Sequence, residues 1–280
     1  MSWLLELRKN RMAQVCITFL VGIVGLALLA PLLGFTDRAD EPDLARRNRP
    51  PLWSDPAGRT YWLGCDQQGR DILSRVVVGA RTSLFIAAVA VLLSTTVGLV
   101  TGLLAGYYGG QVDHLVMRGV DVAISIPSIL LTLMIIALLG PGVLKLAAVI
   151  GLTNWVWQAR TARSKVLVLR QEPFILAARI SGASGWWIIR KHVLPNIRAT
   201  VLVVATTQLG YMIIIESSLS FFGMSGTTLS WGWDIARGRD YLSTAWWITS
   251  MPGLAILLTA VSFNVVGDWL RDALDPYLRT

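Results

Sequence analysis

The chain has 280 residues, of which 54% are hydrophobic and 15% charged, with a net charge of +8 and a mean hydropathy of +0.58. A soluble domain averages about 25% charged residues, so lipid is the expected solvent for most of this chain. Two histidines (His114, His192) and two cysteines (Cys16, Cys65) argue against a His/Cys metal centre or a disulfide framework, and none of the four lysines closes a G-x-x-x-x-G-K-S/T phosphate loop, so ATP hydrolysis by this chain alone is not expected.

A membrane-crossing helix needs about 20 apolar residues. Charge-free stretches predict six of them in chain order. Residues 12–33 follow Arg8, Lys9 and Arg11. Their apolar run of about 22 residues is longer than the 7–15 of a signal-peptide core, so it is read as an uncleaved first span. The polar segment 35–81 follows, and its part over 37–59, rich in Pro, Arg and Asp, reads as irregular. Residues 83–105 form the second span and 122–139 the third, where Pro127 predicts a kink. Residues 143–157 form a shorter fourth span with Lys145 snorkelling from one end. Residues 200–222, with Glu216 inside, and 245–266 complete the set. Each is read as helix, because unpaired backbone cannot face lipid. The predicted fold class is an all-α polytopic membrane protein. It divides into 1–34 (N-terminus and first helix), 35–81 (outer or interfacial loop), 82–270 (core bundle) and 271–280 (tail).

Lys and Arg set orientation. Residues 159–198 carry eight basic residues against one acid, Glu172, which predicts a cytoplasmic loop and, with six spans, cytoplasmic termini. The loop 35–81 falls outside with eight basic and seven acidic residues, a mild tension with that rule. Trp3, Trp155, Trp157, Trp186, Trp187, Trp231, Trp233, Trp246 and Trp247 sit near span ends, as an aromatic belt would. A basic loop this short, between two spans, does not indicate a nucleic-acid partner.

The basic loop carries the most specific pattern. Pro173 starts a helix with Glu172 at its positive end. Phe174, Ala177, Ala178 and Ser181 share a face by their spacing, and three of them are small, so another surface can approach closely. Gly182 and Gly185 punctuate the helix, and a second short helix, 186–193, runs into Leu194 and Pro195. The expectation is a short helical hairpin held against the ends of the spans. Elsewhere, Glu216 is a costly intramembrane acid near an outer end, suited to hydrogen bonding inside the bundle or gate, or to a cationic substrate group. Pro127 suits a packing kink or a gate hinge. Asp113 and Asp121 suit pairing with loop arginines, and Gly69, Arg70 and Asp71 suit either contact with a partner or folding of their own loop.

These residues resemble the cytoplasmic loop of bacterial ABC importer permeases, with the pattern E-A-A-x3-G-x9-I-x-L-P. Ala177, Ala178, Gly182, Leu194 and Pro195 match it, while Leu176 takes the Glu place and His192 the Ile place. Further segments (62–75, 79–84, 106–113, 117–121 with Ile126-Pro127-Ser128, 216–223, 230–232 and 264–276) narrow the resemblance to the C-type permease of the dipeptide/oligopeptide/nickel group, with Cys65 where Thr is usual. The resemblance implies the type I importer permease fold and a coupling role for the loop. It also implies a homologous second permease subunit, two ATPase subunits that carry ATP and Mg2+, and an extracytoplasmic solute-binding protein. No cofactor is expected in this chain, and its place would be the bacterial inner membrane. Peptide, nickel, metal-chelate or another small polar solute remain open as cargo, and a stand-alone secondary transporter or channel is the rival reading.

Overall fold

The computed structural model describes Leu7 and residues 10–274. Trp3, Arg8, Lys9, Asp275 and Pro276, and with them the end of the expected tail, lie outside the described residues.

Helix α1, Arg11–Leu29, is capped by Asn10, whose side chain accepts the Ala13 N–H at 3.0 Å. A left-handed turn at Gly34 leads into the short helix α2, Phe35–Asp40. The polar stretch after it is more ordered than its composition suggests. A 3-10 turn, Leu44–Arg46, precedes strands β1, Trp53–Ser54, and β2, Thr60–Tyr61, which pair antiparallel with Trp53 opposite Tyr61. Asp55 closes this hairpin by accepting the Arg59 N–H at 2.8 Å. The expectation of an irregular 37–59 segment is corrected accordingly: Asx-type side-chain bonds hold it locally.

Helix α3, Ile72–Tyr108, is far longer than the 83–105 run that predicted it. Its 37 residues rise about 55 Å, well beyond a hydrocarbon core of about 30 Å. Asp71 is its N-cap and accepts the N–H groups of Leu73 and Ser74, both at 3.3 Å. Helices α4, Gly110–Ser125, and α5, Ser128–Leu139, follow. The kink expected at Pro127 is a full break, with the two helices bent by 84°. Ile126 is extended (φ −112°, ψ 127°), because a residue before proline is pushed out of the helical region. The span expected over 143–157 is also corrected. Helix α6, Val143–Thr153, has 11 residues and rises about 16 Å, and helix α7, Val156–Leu169, resumes after Asn154 and Trp155.

Helix α8, Pro173–Ile180, and helix α9, Gly185–Ile188, form the hairpin. A π-helical stretch, Ile189–Val193, joins α9 to helix α10, Leu194–Phe221, so Gly185–Phe221 is one continuous run. The separation expected at Leu194-Pro195 does not occur. Pro195 lacks an N–H, and the widened turn just before it absorbs the missing bond within a continuing helix. Helix α11, Trp231–Gly238, and helix α12, Trp247–Leu274, are the last described helices. Among the described residues, four helical runs (α1, α3, α9–α10 and α12) are long and apolar enough to cross a membrane, five if the bent α4–α5 pair is one broken span.

The main core gathers around α3, with Ile86, Ala87 and Ala90 packed among Leu146 and Ile150 of α6, Met212 and Ile213 of α10, and Trp231. A second core ties the hairpin to the other end of α3, where Leu103 and Tyr107 meet Val166, Ile175, Ile188 and Val193.

Candidate functional site

The end of helix α8 explains the Ala-Ala-x3-Gly spacing physically. Gly182 sits at φ +81°, the Ala183 N–H donates to the Ala178 carbonyl at 3.1 Å, and the Gly182 N–H donates to Arg179 at 3.0 Å. This is a Schellman stop, in which the residue after the cap must enter the left-handed region and glycine does so without strain. The Ser181 hydroxyl also donates to the Ala177 carbonyl at 3.0 Å. Ser184 then caps α9 by accepting the Trp187 N–H at 3.3 Å.

The hairpin has an inner and an outer side. Ile175 and Ile188 are fully buried, and Ala178 leans on the same core. Phe174, Leu176, Ala177, Ser181 and Trp186 are exposed, and Ile180 is 88% exposed. The four-residue face expected from spacing is therefore split. Ala178 follows Ile175 inward at i, i+3, and Phe174, Ala177 and Ser181 face out. His192 lies against the rings of Trp187 (5.1 Å) and Phe174 (5.9 Å), an aromatic contact that an isoleucine would make by packing alone. Leu194 is half-buried against the inner core and Pro195 is exposed. The Arg179 guanidinium lies over the Tyr107 ring at 5.0 Å and joins the hairpin to α3.

Helix α7 leads into the hairpin and is pressed onto α3. A Cβ on Gly102 would stand 2.5 Å from the Ala159 carbonyl oxygen and 2.8 Å from the Ala162 Cβ. Gly98 and Gly106, one turn to either side, face Gln158 and Val166 in the same way. This small-xxx-small seam lets two backbones approach closely. The spacing was readable in the sequence but is not part of the loop pattern. Asp113 and Asp121 pair with α7: Asp113 takes two bonds from Arg163, and Asp121 meets Arg160 at 3.2 Å.

At the other end of α3, Gly69, Arg70 and Asp71 fold their own loop. A Cβ on Gly69 would collide with the Asp43 backbone, Arg70 is buried and pairs with Asp66 at 2.6 Å, and Asp71 is the α3 cap. These contacts describe loop folding, one of the two roles expected for them. Cys65 is fully buried beside them, and burial, then the Asp71 and Asp66 carboxylates, push its thiol up to about 12. Trp231 and Trp247 leave the expected belt. Both are buried, donating to the Val76 carbonyl at 2.8 Å and to the Cys65 carbonyl at 3.2 Å.

Glu216 is fully buried. Ser220 donates to it at 2.6 Å and Ser217 at 3.2 Å. It does not line the cavity of about 560 Å3 that opens between the two helix breaks. Pro127 does, with Ser128, Asn154, Arg160, Gln208 and Tyr211. The last four were not singled out in the sequence. Asn154 and Gln208, polar residues inside apolar runs, were the available signal.

Comparison with known proteins gives a consistent result. Residues 98–280 match the family model described as binding-protein-dependent transport system inner membrane component. Residues 2–51 match the N-terminal TM domain of oligopeptide transport permease C. The chain is 36% identical over 277 residues to the dipeptide transport system permease protein DppC of Alkalihalophilus pseudofirmus, covering 98% of this chain and 89% of that one. It is 39% identical over 223 residues to the probable D,D-dipeptide transport system permease protein DdpC of Escherichia coli, covering 79% and 75%. It is 34% identical over 278 residues to the oligopeptide transport system permease protein OppC of Bacillus subtilis, covering 99% and 89%. Among solved structures, the inward-facing MetNI methionine ABC transporter is similar in fold, with a TM-score of 0.56 at 22% identity over 73% of this chain and 98% of that one.

Proposed function

Because the chain belongs to the family of binding-protein-dependent transport system inner membrane components, a family of multi-pass inner-membrane transport subunits, we propose that it forms half of the pathway of an ATP-driven peptide importer. Di- and oligopeptide cargo, rather than nickel, is the reading favoured by what its relatives are named for. A second, homologous permease subunit completes the pathway, two ATPase subunits carry ATP and Mg2+, and a solute-binding protein delivers cargo from outside. This chain itself contributes no covalent chemistry and no cofactor. The basic loop 159–198 lies in the cytoplasm, as do both termini.

The observation that carries the reading is the hairpin of α8 and α9. Its outer side presents Phe174, Leu176, Ala177, Ile180 and Trp186, and its inner side is pinned to α3 and α7 by Ile175, Ile188 and the Arg179–Tyr107 contact. A surface of this kind docks in a groove of an ATPase subunit. When the ATPases close, α8 and α9 move, and the tight α3–α7 seam passes the displacement to the long helix at the centre of the bundle. The packing of the spans changes, the pathway opens outward, and the binding protein releases its cargo. Glu216 serves this as a structural acid inside the bundle, and Pro127 as part of the broken segment.

Co-purification tests the reading. The tagged chain is expected to bring down two ATPase subunits and a second permease, with ATP hydrolysis stimulated by loaded binding protein. Charge introduced by Ala177→Glu or Ile180→Glu should abolish that stimulation. Normal coupling and uptake in those variants would remove the assigned role, and conduction by the chain reconstituted alone would favour a channel.

A further inference from the structure

A second cleft, of about 890 Å3, lies across α10 from the helix breaks. Gln208 and Tyr211 of that helix line the first cavity, whereas Leu209 and Ile213 line this one. Helix α1 reaches the rest of the bundle at two places, through Ala13 beside Trp269 near one end and through Ala27 near the other. Next to that second contact, Val24 and Leu28 of α1 and Leu84, Phe85 and Ala88 of α3 form opposite walls of the cleft.

The cleft is polar at one end only. Asp40, Arg81, Thr82, Thr227 and Thr228 are its polar linings near the start of α3, and Asp40 and Arg81 are its only charges. Helix α10 ends and α12 begins on this side of the bundle, where the Trp247 indole donates to the Cys65 carbonyl. The apolar end runs deeper, to Leu209 about 18 Å before the end of α10 and Phe263 about 24 Å from the start of α12. Against a hydrocarbon core of about 30 Å, the cleft spans roughly one leaflet.

Arg81 stands at the level of a lipid phosphate. It is the last charge before α3 runs uncharged to Tyr108. Its side chain is exposed and makes no hydrogen bond or ion pair among the described residues, and the hydroxyls of Thr82, Thr227 and Thr228 are equally free. Asp40 is 74% exposed, and its one ion-pair partner is Arg75 at 4.0 Å, a guanidinium already held by Asp234 and the Ala39 carbonyl.

We propose that this cleft binds one molecule of phosphatidylethanolamine from the outer leaflet, with its phosphate on Arg81 and the threonine hydroxyls, its ammonium on Asp40, and one acyl chain running between α1 and α3 toward Phe263. An acyl chain gains little by leaving bulk lipid, because lipid tails are as apolar as the cleft, so selectivity comes from the headgroup. One cation beside one anion complements a zwitterion. Phosphatidylglycerol would set its net negative charge near Asp40 with no ammonium to answer it, and the choline of phosphatidylcholine has no N–H to donate. The chain joins the outer half of α1 to the core where the two helices stand apart. The inference takes the assembled complex and the side of the membrane from the importer reading and rests on it to that extent.

The test uses the complete importer in phosphatidylcholine nanodiscs holding a trace of phosphatidylethanolamine with a diazirine in one acyl chain. After irradiation, labelled peptides are identified by mass spectrometry. Label is expected on α3 around Leu84–Ala88 and on α12 around Phe263. Unlabelled phosphatidylethanolamine should compete at about threefold lower mole fraction than phosphatidylglycerol or phosphatidylcholine, as one exposed ion pair would give. Arg81→Gln should raise the mole fraction needed about tenfold, and Asp40→Asn should erase the preference for phosphatidylethanolamine. Ala88→Phe narrows the chain slot and should lower label while the headgroup preference stays. All three side chains are exposed, so these variants keep the fold. Label spread evenly over α4, α5 and the cleft, equal competition by the three lipids, or an unchanged profile in Arg81→Gln overturns the inference. So does efficient cross-linking of a Phe85→Cys thiol to the second permease subunit, because that subunit rather than lipid would then fill the cleft. Coupled peptide uptake by an importer that fails these tests leaves the importer reading standing. Retained lipid selectivity without coupled ATP hydrolysis would remove that reading alone.

Discussion

Arg163 grips Asp113 in a two-pronged pair, Nε to Oδ1 at 2.5 Å and Nη2 to Oδ2 at 2.6 Å, and so fixes the start of α4 against the middle of α7. The backbone of Arg163 also faces the α3 seam, its carbonyl oxygen lying 3.0 Å from where a Cβ on Gly106 would stand. One residue thus joins three helices just before the hairpin. Bidentate guanidinium–carboxylate pairs of low exposure are stronger than ordinary surface pairs. Asp113→Asn, Arg163→Gln and the double variant are expected to show a coupling of about 1 kcal/mol in thermal unfolding of the purified importer. Strictly additive single effects would show that the pair stabilises nothing.

Gly102 stands at the middle of the α3–α7 seam, where even one methyl group meets the Ala159 carbonyl oxygen and the Ala162 Cβ. Gly102→Ala should destabilise the chain by about 1–3 kcal/mol through overpacking, and Gly102→Leu should part the helices. The informative readout is coupling. With the seam opened, binding-protein-stimulated ATP hydrolysis should persist while uptake per ATP falls several-fold. An unchanged ratio of uptake to hydrolysis would show that α3 does not carry the movement of the hairpin.

How much of this was legible in advance depended on the kind of signal. The apolar stretches of the four long runs were readable because lipid tolerates few charges, though not the charged ends by which α3, α9–α10 and α12 extend beyond them, and the stop at Gly182 because a left-handed residue favours glycine. What escaped was set by contacts between elements distant in sequence. Spacing alone placed Ala178 on the outer face, but Ile175 and Val166 draw it inward. Pro127 read as a kink, yet it is an 84° break, after which Thr132 bonds across to Thr153 at 2.9 Å, a contact between two separate helices. The order in the 35–71 segment comes from backbone turns and a short hairpin, which have no hydrophobic period. Gln208 and Asn154 share a cavity only because both helix breaks open on it, a convergence of segments distant in sequence.

Cys65 offers a check on the outer loop. Its thiol is buried and pushed up to about 12, so at pH 8 almost none of it is thiolate. Iodoacetamide should leave Cys65 unmodified in the folded importer over hours and label it fully in denaturant, as read by peptide mass. Rapid modification of the native protein would mean that the loop does not close over Gly64–Asp71 in the way described.

Glu216 accepts from Ser217 and Ser220 within one turn of its own helix, with Trp231 and Ser83 packed alongside. If its task is to tie these groups together, Glu216→Gln should keep assembly and change uptake by no more than about twofold, because an amide retains an acceptor for the hydroxyls. Glu216→Leu should lower the yield of assembled complex, since the buried hydroxyls lose their acceptor. Uptake of cationic and neutral peptides should fall together in either variant. A selective loss of cationic peptides would make Glu216 a substrate contact instead.

Arg75 meets Asp234 where the outer loop, α3 and α11 converge. Its Nε donates to Asp234 Oδ1 at 3.1 Å, its Nη2 ion-pairs with the same oxygen, and its Nη1 donates to the Ala39 carbonyl at 3.0 Å. Both side chains are almost wholly buried. Removing Arg75 leaves the Asp234 carboxylate uncompensated, so Arg75→Met should cost about 3–5 kcal/mol, and Asp234→Leu should cost less because Asp66 Oδ2 still stands 3.7 Å from Arg75 Nε. Replacing both should recover a large part of that loss, because no unpaired ion is then left inside, although Ala39 still lacks its donor. Thermal unfolding of the purified complex measures the three variants. A double variant as damaged as the sum of the singles would show that the pair is valued for something other than mutual neutralisation, and would direct attention to the Arg75–Ala39 bond as the tie that holds α2 over the end of α3.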